Sequence, residues 1–140
     1  MTASDFALSQ LNLAGYMLDK VYEGIDEATL DMRISPAAMT PRETAEHLCE
    51  CYVASAKVAV GAKHEWGTYE AVDKSWPALG EQMRTLRTVA ADACLNGTDE
   101  GLESASHYMI SHDNYHVGQL CSIRIAADAN WDPYCIYQMD

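Results

Sequence analysis

Apolar residues recur every three or four positions in four stretches of the chain, which is the spacing of one face of an α-helix. This repeat predicts helices at about residues 4–25, 41–60, 75–96 and 99–128. No stretch alternates apolar and polar residues over the length of a strand, so we expect an all-α protein. Four helices of these lengths are typical of a four-helix bundle.

The connections between these helices also bear on the topology. The two longer ones, residues 26–39 and 61–74, leave room for a crossover between helices. The chain contains no repeat, no low-complexity segment and no linker, so we expect a single domain, residues 1–140. Local signals mark the start of the second helix, because Thr40 is followed by Pro41 and then by Glu43 in the pattern of a capping box.

The net charge of the chain restricts the partners that it is expected to bind. The 140 residues carry 9 Lys and Arg against 21 Asp and Glu, a formal net charge of −12. Nucleic acids and anionic membranes attract basic surfaces, so we expect neither as a partner. The start of the chain lacks the basic and apolar regions of a leader peptide, and no apolar run reaches the roughly 18–20 residues that span a bilayer. These features, with five cysteines in no secreted disulfide pattern, predict a cytoplasmic protein with reduced thiols.

Two histidines interrupt the apolar stripe of the fourth predicted helix. His112 and His116 are four residues apart, which on a helix is about 40° of rotation and about 6 Å of rise. Two imidazoles placed in this way are able to bind one metal ion. His47 lies on the inward stripe of the second helix, so facing helices would bring it to the same point. We therefore predict a divalent metal site on His47, His112 and His116; the alternative is a metal-free bundle with hydrogen-bonded core histidines.

Three nitrogen ligands suit Zn(II), Ni(II) or Fe(II). Catalytic zinc sites have three protein ligands and leave a position for water or substrate, whereas structural sites usually have four. We therefore expect an open position, where water or a thiol becomes the nucleophile toward a small-molecule electrophilic substrate. Four residues near the histidine pair are catalytic candidates, either for substrate contact or for support of the ligands. These are Tyr108, Asp113, Tyr115 and Gln119.

Other histidines and cysteines are predicted to have no part in the site. His64 and His107 fall outside the clearest stripes and are interpreted as ordinary polar residues. Cys49 and Cys51 form a C-x-C pair, but residues two apart on a helix point in different directions and cannot share an ion. We interpret both as small core residues.

The segments "ETAEHL" and "SHDNYHVGQL" together resemble the DinB/YfiT-like superfamily. Its pattern has a histidine in the second helix and a late H-x-x-x-H followed by a small residue and glutamine. The matching positions here are His47, His112, His116, Gly118 and Gln119. The resemblance spans nearly the whole chain and implies a four-helix bundle that forms a homodimer and holds zinc or nickel. It also implies one of the activities of that superfamily: a thiol-dependent S-transferase using a low-molecular-weight thiol such as bacillithiol or mycothiol, a maleylpyruvate isomerase, or a metal-assisted hydrolase.

Three further functions remain open. The sequence "HDNYH" is one residue away from the H-E-x-x-H of zinc proteases, but Asp113 is one methylene shorter than glutamate and no further ligand stands out downstream. A carboxylate-bridged di-iron bundle needs inward E-x-x-H pairs, which the chain lacks. A non-catalytic metal-binding protein of a stress response would use the same three histidines without turnover. A pocket beside an open coordination position favours the enzyme, and a fourth protein ligand favours the non-catalytic protein.

Overall fold

All regular elements of the described residues are helical. The structure, a computed structural model, describes residues 1–138 and contains no strand there. Six α-helices follow in chain order: α1 (Ala3–Tyr22), α2 (Glu27–Leu30), α3 (Pro41–Val58), α4 (Trp76–Cys94), α5 (Asp99–Ser104) and α6 (Ser111–Ala127). A π-helical segment, Ala105–Ile110, connects α5 to α6, and a 3₁₀ turn, Pro133–Tyr137, follows α6. The predicted all-α class is confirmed, and none of the described helices is long and apolar enough to cross a membrane.

The start of α3, the helix that carries His47, is defined by the predicted capping box. The backbone N–H of Glu43 donates to Thr40 Oγ1 at 3.1 Å, and the Thr40 N–H donates to Glu43 Oε2 at 2.8 Å. Beside it, Arg42 Nε donates to Asp31 Oδ1 at 2.8 Å, which ties the end of α2 to the start of α3. The apolar pattern does not predict α2, because four residues are too few to establish a period.

The fourth predicted helix is present as three successive segments with an unbroken helical backbone. Ala105, Ile110 and Ser111, at the junctions of these segments, all have right-handed helical torsion angles. The middle segment has the wider π geometry, with hydrogen bonds between residues five apart, which an apolar repeat of three or four does not predict. It ends two residues before His112, so its geometry sets the direction in which α6 presents its histidines.

The core lies between α1, α3, α4 and the segment that runs from α5 to α6. α3 packs against α4, α1 packs against α6, and the π-helical segment contacts both α1 and α3. Tyr22 at the end of α1 donates a hydrogen bond to the carbonyl of Pro41 at 2.8 Å. The large, fully buried apolar side chains include Leu11, Leu18, Leu30, Leu48, Tyr52, Leu79, Met83, Met109 and Leu120. A shared helical core is therefore established, while a bundle of the DinB type stays a prediction.

One buried ion pair links four helices through this core. Asp113 of α6 is fully buried, and its carboxylate accepts hydrogen bonds from Tyr52 Oη of α3 at 2.6 Å and from Arg87 Nε of α4 at 2.9 Å. The same guanidinium donates through Nη2 to the carbonyl of Leu11 in α1 at 2.7 Å. Gly15 leaves the space for it, because a Cβ at that position would lie 2.6 Å from Arg87 Nη1. The guanidinium that pairs with Asp113 therefore packs in the space that Gly15 leaves free.

We expect Gly15→Ala to destabilise the protein, although alanine is the better helix former. The replacement gains about 1 kcal/mol of helix propensity, but its methyl group displaces the Arg87 guanidinium, and breaking a buried ion pair costs about 3–5 kcal/mol. The net loss in the free energy of unfolding, measured by urea denaturation, is therefore at most about 2–4 kcal/mol, the value for complete loss of the pair. Gly118→Ala is the control, because a Cβ there meets nothing within 4 Å. A Gly15→Ala protein as stable as Gly118→Ala would contradict this role of Gly15.

Candidate metal centre

Three histidine side chains from two helices lie next to one another in the fold. His47 extends from the second turn of α3, and His112 and His116 extend from the first two turns of α6. The Nε2 atoms of His47 and His112 are 3.2 Å apart, and those of His112 and His116 are 3.0 Å apart. The ring centroids of His47 and His116 are 5.1 Å apart. The structure thus brings together the three histidines that the apolar stripes place inward.

The spacing of these nitrogens suits a shared metal ion. Two nitrogen ligands of a tetrahedral zinc ion are about 3.3 Å apart when each Zn–N bond is about 2.0–2.1 Å, and both measured separations are close to this value. Hydrogen bonds alone do not satisfy all three Nε2 atoms. A neutral Nε2 carries either a proton or a lone pair, so His112 cannot make a linear hydrogen bond to both neighbours. A divalent ion, in contrast, would accept the lone pair of each nitrogen that it contacts.

Gln119 and Tyr115, two of the predicted candidates, orient the ring of His116. The Nδ1 atom of His116 lies 2.8 Å from Gln119 Oε1, and Gln119 Nε2 donates to Tyr115 Oη at 3.1 Å. Because a carbonyl oxygen only accepts, the proton of His116 is on Nδ1 and the lone pair is on Nε2, the nitrogen that faces His112. Support of this kind from a neighbouring carbonyl is common around histidines that bind metals.

Cys51 joins the site, which corrects its interpretation as a core residue without a part in it. It follows His47 by four residues on α3, and its Sγ atom is 3.6 Å from His47 Nε2. The ligand atoms of His47, Cys51 and His112 all lie within 4.8 Å of one another, so this group could hold a metal ion. Burial raises the pKa of the Cys51 thiol to about 12, so a bound metal would have to displace its proton. The sequence does contain a signal for this position, because Cys51 follows His47 by four residues and so lies on the same face of the helix. Comparing Cys51 only with Cys49, two residues earlier, does not reveal it.

Burial keeps the three imidazoles neutral. It is the main cause that lowers the pKa of His47, of His112 and of His116, the last to about 4. The other imidazoles lower the pKa of His112 and His116 further, whereas Glu50 partly offsets the effect at His47. Since neutral imidazole is the form that binds metals, the ligands need lose no proton at neutral pH.

A cavity of about 380 Å³ opens beside His47 and His112. Its lining also includes Trp66, Tyr108, Ser111 and Tyr115. The cavity is the feature expected of an enzyme, while the nearby thiol is the feature expected of a closed, non-catalytic site. The structure therefore contains one feature of an enzyme and one feature of a non-catalytic metal-binding protein. Whether Cys51 is a fourth ligand of the ion decides between them.

Glu50 holds the loop that follows α3 against this cavity. Its Oε1 atom accepts hydrogen bonds from His64 Nε2 at 3.0 Å and from the backbone N–H of Gly67 at 2.6 Å. Trp66 lies between these two residues, with its ring edge-on to His64 at 4.9 Å and 6.2 Å from the ring of Tyr108. His64, with a side chain only 4% exposed, is therefore an anchor of the loop rather than an ordinary surface residue.

Asp113 and His107 have other contacts than the three imidazoles. Asp113 directly follows His112 but is directed into the core, where Tyr52 and Arg87 bind both of its carboxylate oxygens. These contacts give no support to Asp113 as a base acting on a metal-bound water, the role that the zinc-protease alternative requires. His107 is exposed, its ring contacts Tyr108, and it belongs to the lining of the cavity.

The low pKa of His116 predicts that the metal-free protein loses stability as the pH falls. In the unfolded chain His116 titrates near 6.5, and in the folded protein near 4, so between these values the unfolded state binds more protons. We expect the free energy of unfolding to fall by about 3 kcal/mol from this residue across that window. Urea denaturation of EDTA-treated wild type, His116→Gln and the control His107→Gln measures it. His116→Gln should have the flatter profile, and profiles of equal slope would contradict the assignment.

The site as a whole combines three inward imidazoles, one buried thiol and an adjoining cavity. Within it, His47, Cys51 and His112 form a group that could hold a metal ion, and the cavity provides space for a second molecule. A comparison with protein-family models, with curated proteins and with solved structures found no match to this chain.

Proposed function

We propose that this chain is a metal-dependent enzyme of the DinB/YfiT-like type, with one divalent ion on His47, His112 and His116. The observation that carries the proposal is the meeting of three imidazole nitrogens beside a cavity of about 380 Å³. The order of the long helical segments along the chain also supports it, because the second contributes one histidine and the last contributes two. Zinc and nickel both suit nitrogen donors of this kind.

The residues around the imidazoles support catalysis in distinct ways. A divalent ion bound there would supply positive charge that lowers the pKa of a coordinated water or thiol. Gln119 keeps the proton of His116 on Nδ1, away from the point where the three rings meet. The Tyr115 hydroxyl accepts from Gln119, so its own proton is free to bind a substrate oxygen in the cavity. Trp66 and Tyr108 form the apolar wall against which the rest of the substrate packs.

The reaction class that fits this arrangement is nucleophilic attack on a small electrophilic substrate. With water as the nucleophile the reaction is a hydrolysis, and with a low-molecular-weight thiol it is the transfer of a group to sulfur. Three protein ligands leave a coordination position for either nucleophile. The cavity lies on the same side as His47 and His112, where that position would open.

The position of Cys51 favours a second candidate function, a metal-binding protein without turnover. Three nitrogens and one thiolate would complete a tetrahedral zinc site and leave no place for a nucleophile. The distance of 3.6 Å between Cys51 Sγ and His47 Nε2 is compatible with two ligands of one ion. In this case the ion would stabilise the fold and would not activate a substrate.

Metal content tests the part that both functions share. We expect about one equivalent of zinc or nickel per purified wild-type chain and far less in His112→Ala, because a site that loses one of its ligands binds weakly. Mass spectrometry of the metals in the purified proteins measures this. His107→Ala is the control, since it removes an exposed imidazole five residues away on the same continuous helical segment. Equal metal content in wild type and His112→Ala would exclude the proposed site.

Turnover then separates the two functions. Metal-loaded protein is supplied with an activated ester, or with an electrophile such as chlorodinitrobenzene together with a thiol. An enzyme with three histidine ligands should turn over at least one of these probes, lose the activity in His112→Ala and keep it in Cys51→Ala. Bound metal without turnover, with metal lost from Cys51→Ala as well, would support the non-catalytic protein instead.

A further inference from the structure

A second cavity adjoins the one beside the histidines, along the π-helical segment. The first, of about 380 Å³, and the second, of about 500 Å³, share His107 and Tyr108 in their linings. The second also includes Glu100, Glu103 and Ser106 in its lining. Glu103 and His112 are nine residues apart on the continuous helical segment, which is an axial distance on the order of 10–13 Å because part of the segment is π-helical. The two cavities thus lie side by side between the candidate metal centre and a pair of glutamates, and we call the two together the groove.

The charged side chains along this groove are all acidic. Glu100 and Glu103 are exposed, and in the described part of the chain neither forms an ion pair with a lysine, arginine or histidine. Within residues 1–138, no lysine or arginine belongs to the lining of either cavity. A negatively charged tail would therefore meet only like charge here, whereas a positively charged tail would meet two unpaired carboxylates.

The aromatic rings between the metal centre and the glutamates also favour a positively charged ligand. Trp66, Tyr108 and Tyr115 line the first cavity. The rings of Trp66 and Tyr108 are 6.2 Å apart and inclined by only 32°, so they form a wall and leave no gap for a flat ring between them. The face of such a wall attracts an ammonium group as well as apolar surface. Glu50 keeps Trp66 in this place through its hydrogen bonds to the loop.

We infer that the substrate of this site is an organic cation: its reactive end lies at the metal centre, an apolar middle packs on Trp66 and Tyr108, and a protonated amine or quaternary ammonium lies near Glu100 and Glu103. This inference rests on the proposed function and adds to it the charge and the approximate length of the substrate. The groove disfavours anionic substrates and thiols that carry carboxylates of their own.

Three hydroxamates that differ only in the charge of the tail test the inference. 4-(4-Aminobutyl)benzohydroxamate, 4-butylbenzohydroxamate and 4-(3-carboxypropyl)benzohydroxamate share a metal-binding head, and their tails reach about as far as Glu103. Calorimetric titration into zinc-loaded protein should give the order cation, neutral, anion, with about a tenfold ratio in Kd between the cationic and the anionic probe. The ratio should fall as salt is added, because the glutamates are exposed.

Two sets of variants locate the effect. Glu100→Gln/Glu103→Gln should bring the ratio of cationic to anionic Kd close to one and leave the neutral probe unchanged. Glu81→Gln/Asp92→Asn removes the same number of charges from exposed positions of α4 and should keep the ratio. Trp66→Ala should weaken the binding of all three probes, because each packs its phenyl ring on that wall.

The outcomes separate this inference from the proposed function. If zinc binds and the three hydroxamates bind equally, or if Glu100→Gln/Glu103→Gln keeps the wild-type ratio, the inference is overturned and the metal-dependent enzyme stands. If the protein takes up no zinc and none of the probes binds, the proposed function fails and this inference fails with it.

Discussion

Replacing Arg87 with alanine is expected to lower the free energy of unfolding by about 3–5 kcal/mol. Only 14% of the Arg87 side chain and none of the Asp113 side chain is exposed, so the variant leaves a carboxylate in the core without its counter-charge. It also removes the hydrogen bond to the Leu11 carbonyl. Tyr52 stays as a single donor to Asp113, and one neutral hydrogen bond does not offset a buried charge.

Urea denaturation of two further proteins, and of Arg87→Ala at low pH, separates this effect from the mere loss of a charge. Arg84→Ala lies three residues earlier on α4 and breaks an ion pair with Asp19 whose side chains are 55% and 59% exposed, so it should cost about 0–1 kcal/mol. Arg87→Met/Asp113→Asn should be more stable than Arg87→Ala, because it leaves no unpaired charge. The loss in the free energy of unfolding caused by Arg87→Ala should also be smaller at low pH, because a protonated Asp113 needs no counter-charge. Similar losses in Arg87→Ala and Arg84→Ala would contradict the importance of the buried pair.

The apolar repeat predicts much of the candidate site, for a physical reason that is specific to helices. A stripe with a spacing of three or four identifies the face that a helix buries, so it places His47 and His116 inward before any contact is known. It also places two histidines one turn apart at His112 and His116. What a stripe does not identify is which helices are neighbours, and the meeting of α3 with α6 is therefore visible only in the structure.

The apolar repeat does not predict features that consist of polar residues or of segments too short to show a period. Asp113 and Arg87 are residue types that are usually solvent-exposed, and each is buried only because the other, on a different helix, pairs with it. Gly15 has a role only through the guanidinium that packs beside it. The π-helical segment, Ala105–Ile110, depends on packing against α1 and α3 rather than on a local repeat. Each of these features is a relation between helices, which a period within one helix does not contain.

Zinc is expected to raise the midpoint of thermal unfolding of the metal-stripped wild type by about 14 °C when its free concentration is about 1,000 times Kd. A ligand that binds only the folded state stabilises by about 4 kcal/mol at this excess. A chain of 140 residues has an unfolding entropy of about 0.3 kcal/mol/K, which converts that free energy into the shift. Differential scanning calorimetry with EDTA and with zinc measures both midpoints for each protein against its own metal-free state.

The shift that zinc causes in the unfolding midpoint of variants identifies the residues that bind the ion. A structural zinc site contributes about 10–16 kcal/mol over four ligands, so one lost ligand weakens binding by about 100-fold or more. At the same zinc concentration His112→Ala should therefore shift by only about 5 °C or less, and the control His107→Ala by the full amount. Cys51→Ala decides the fourth position, because a full shift means that three histidines hold the ion and leave a site for a nucleophile, whereas a reduced shift means that the thiolate closes it. A full shift in His112→Ala would mean that zinc binds elsewhere, since Nε2 of His112 is the atom that both other imidazoles approach.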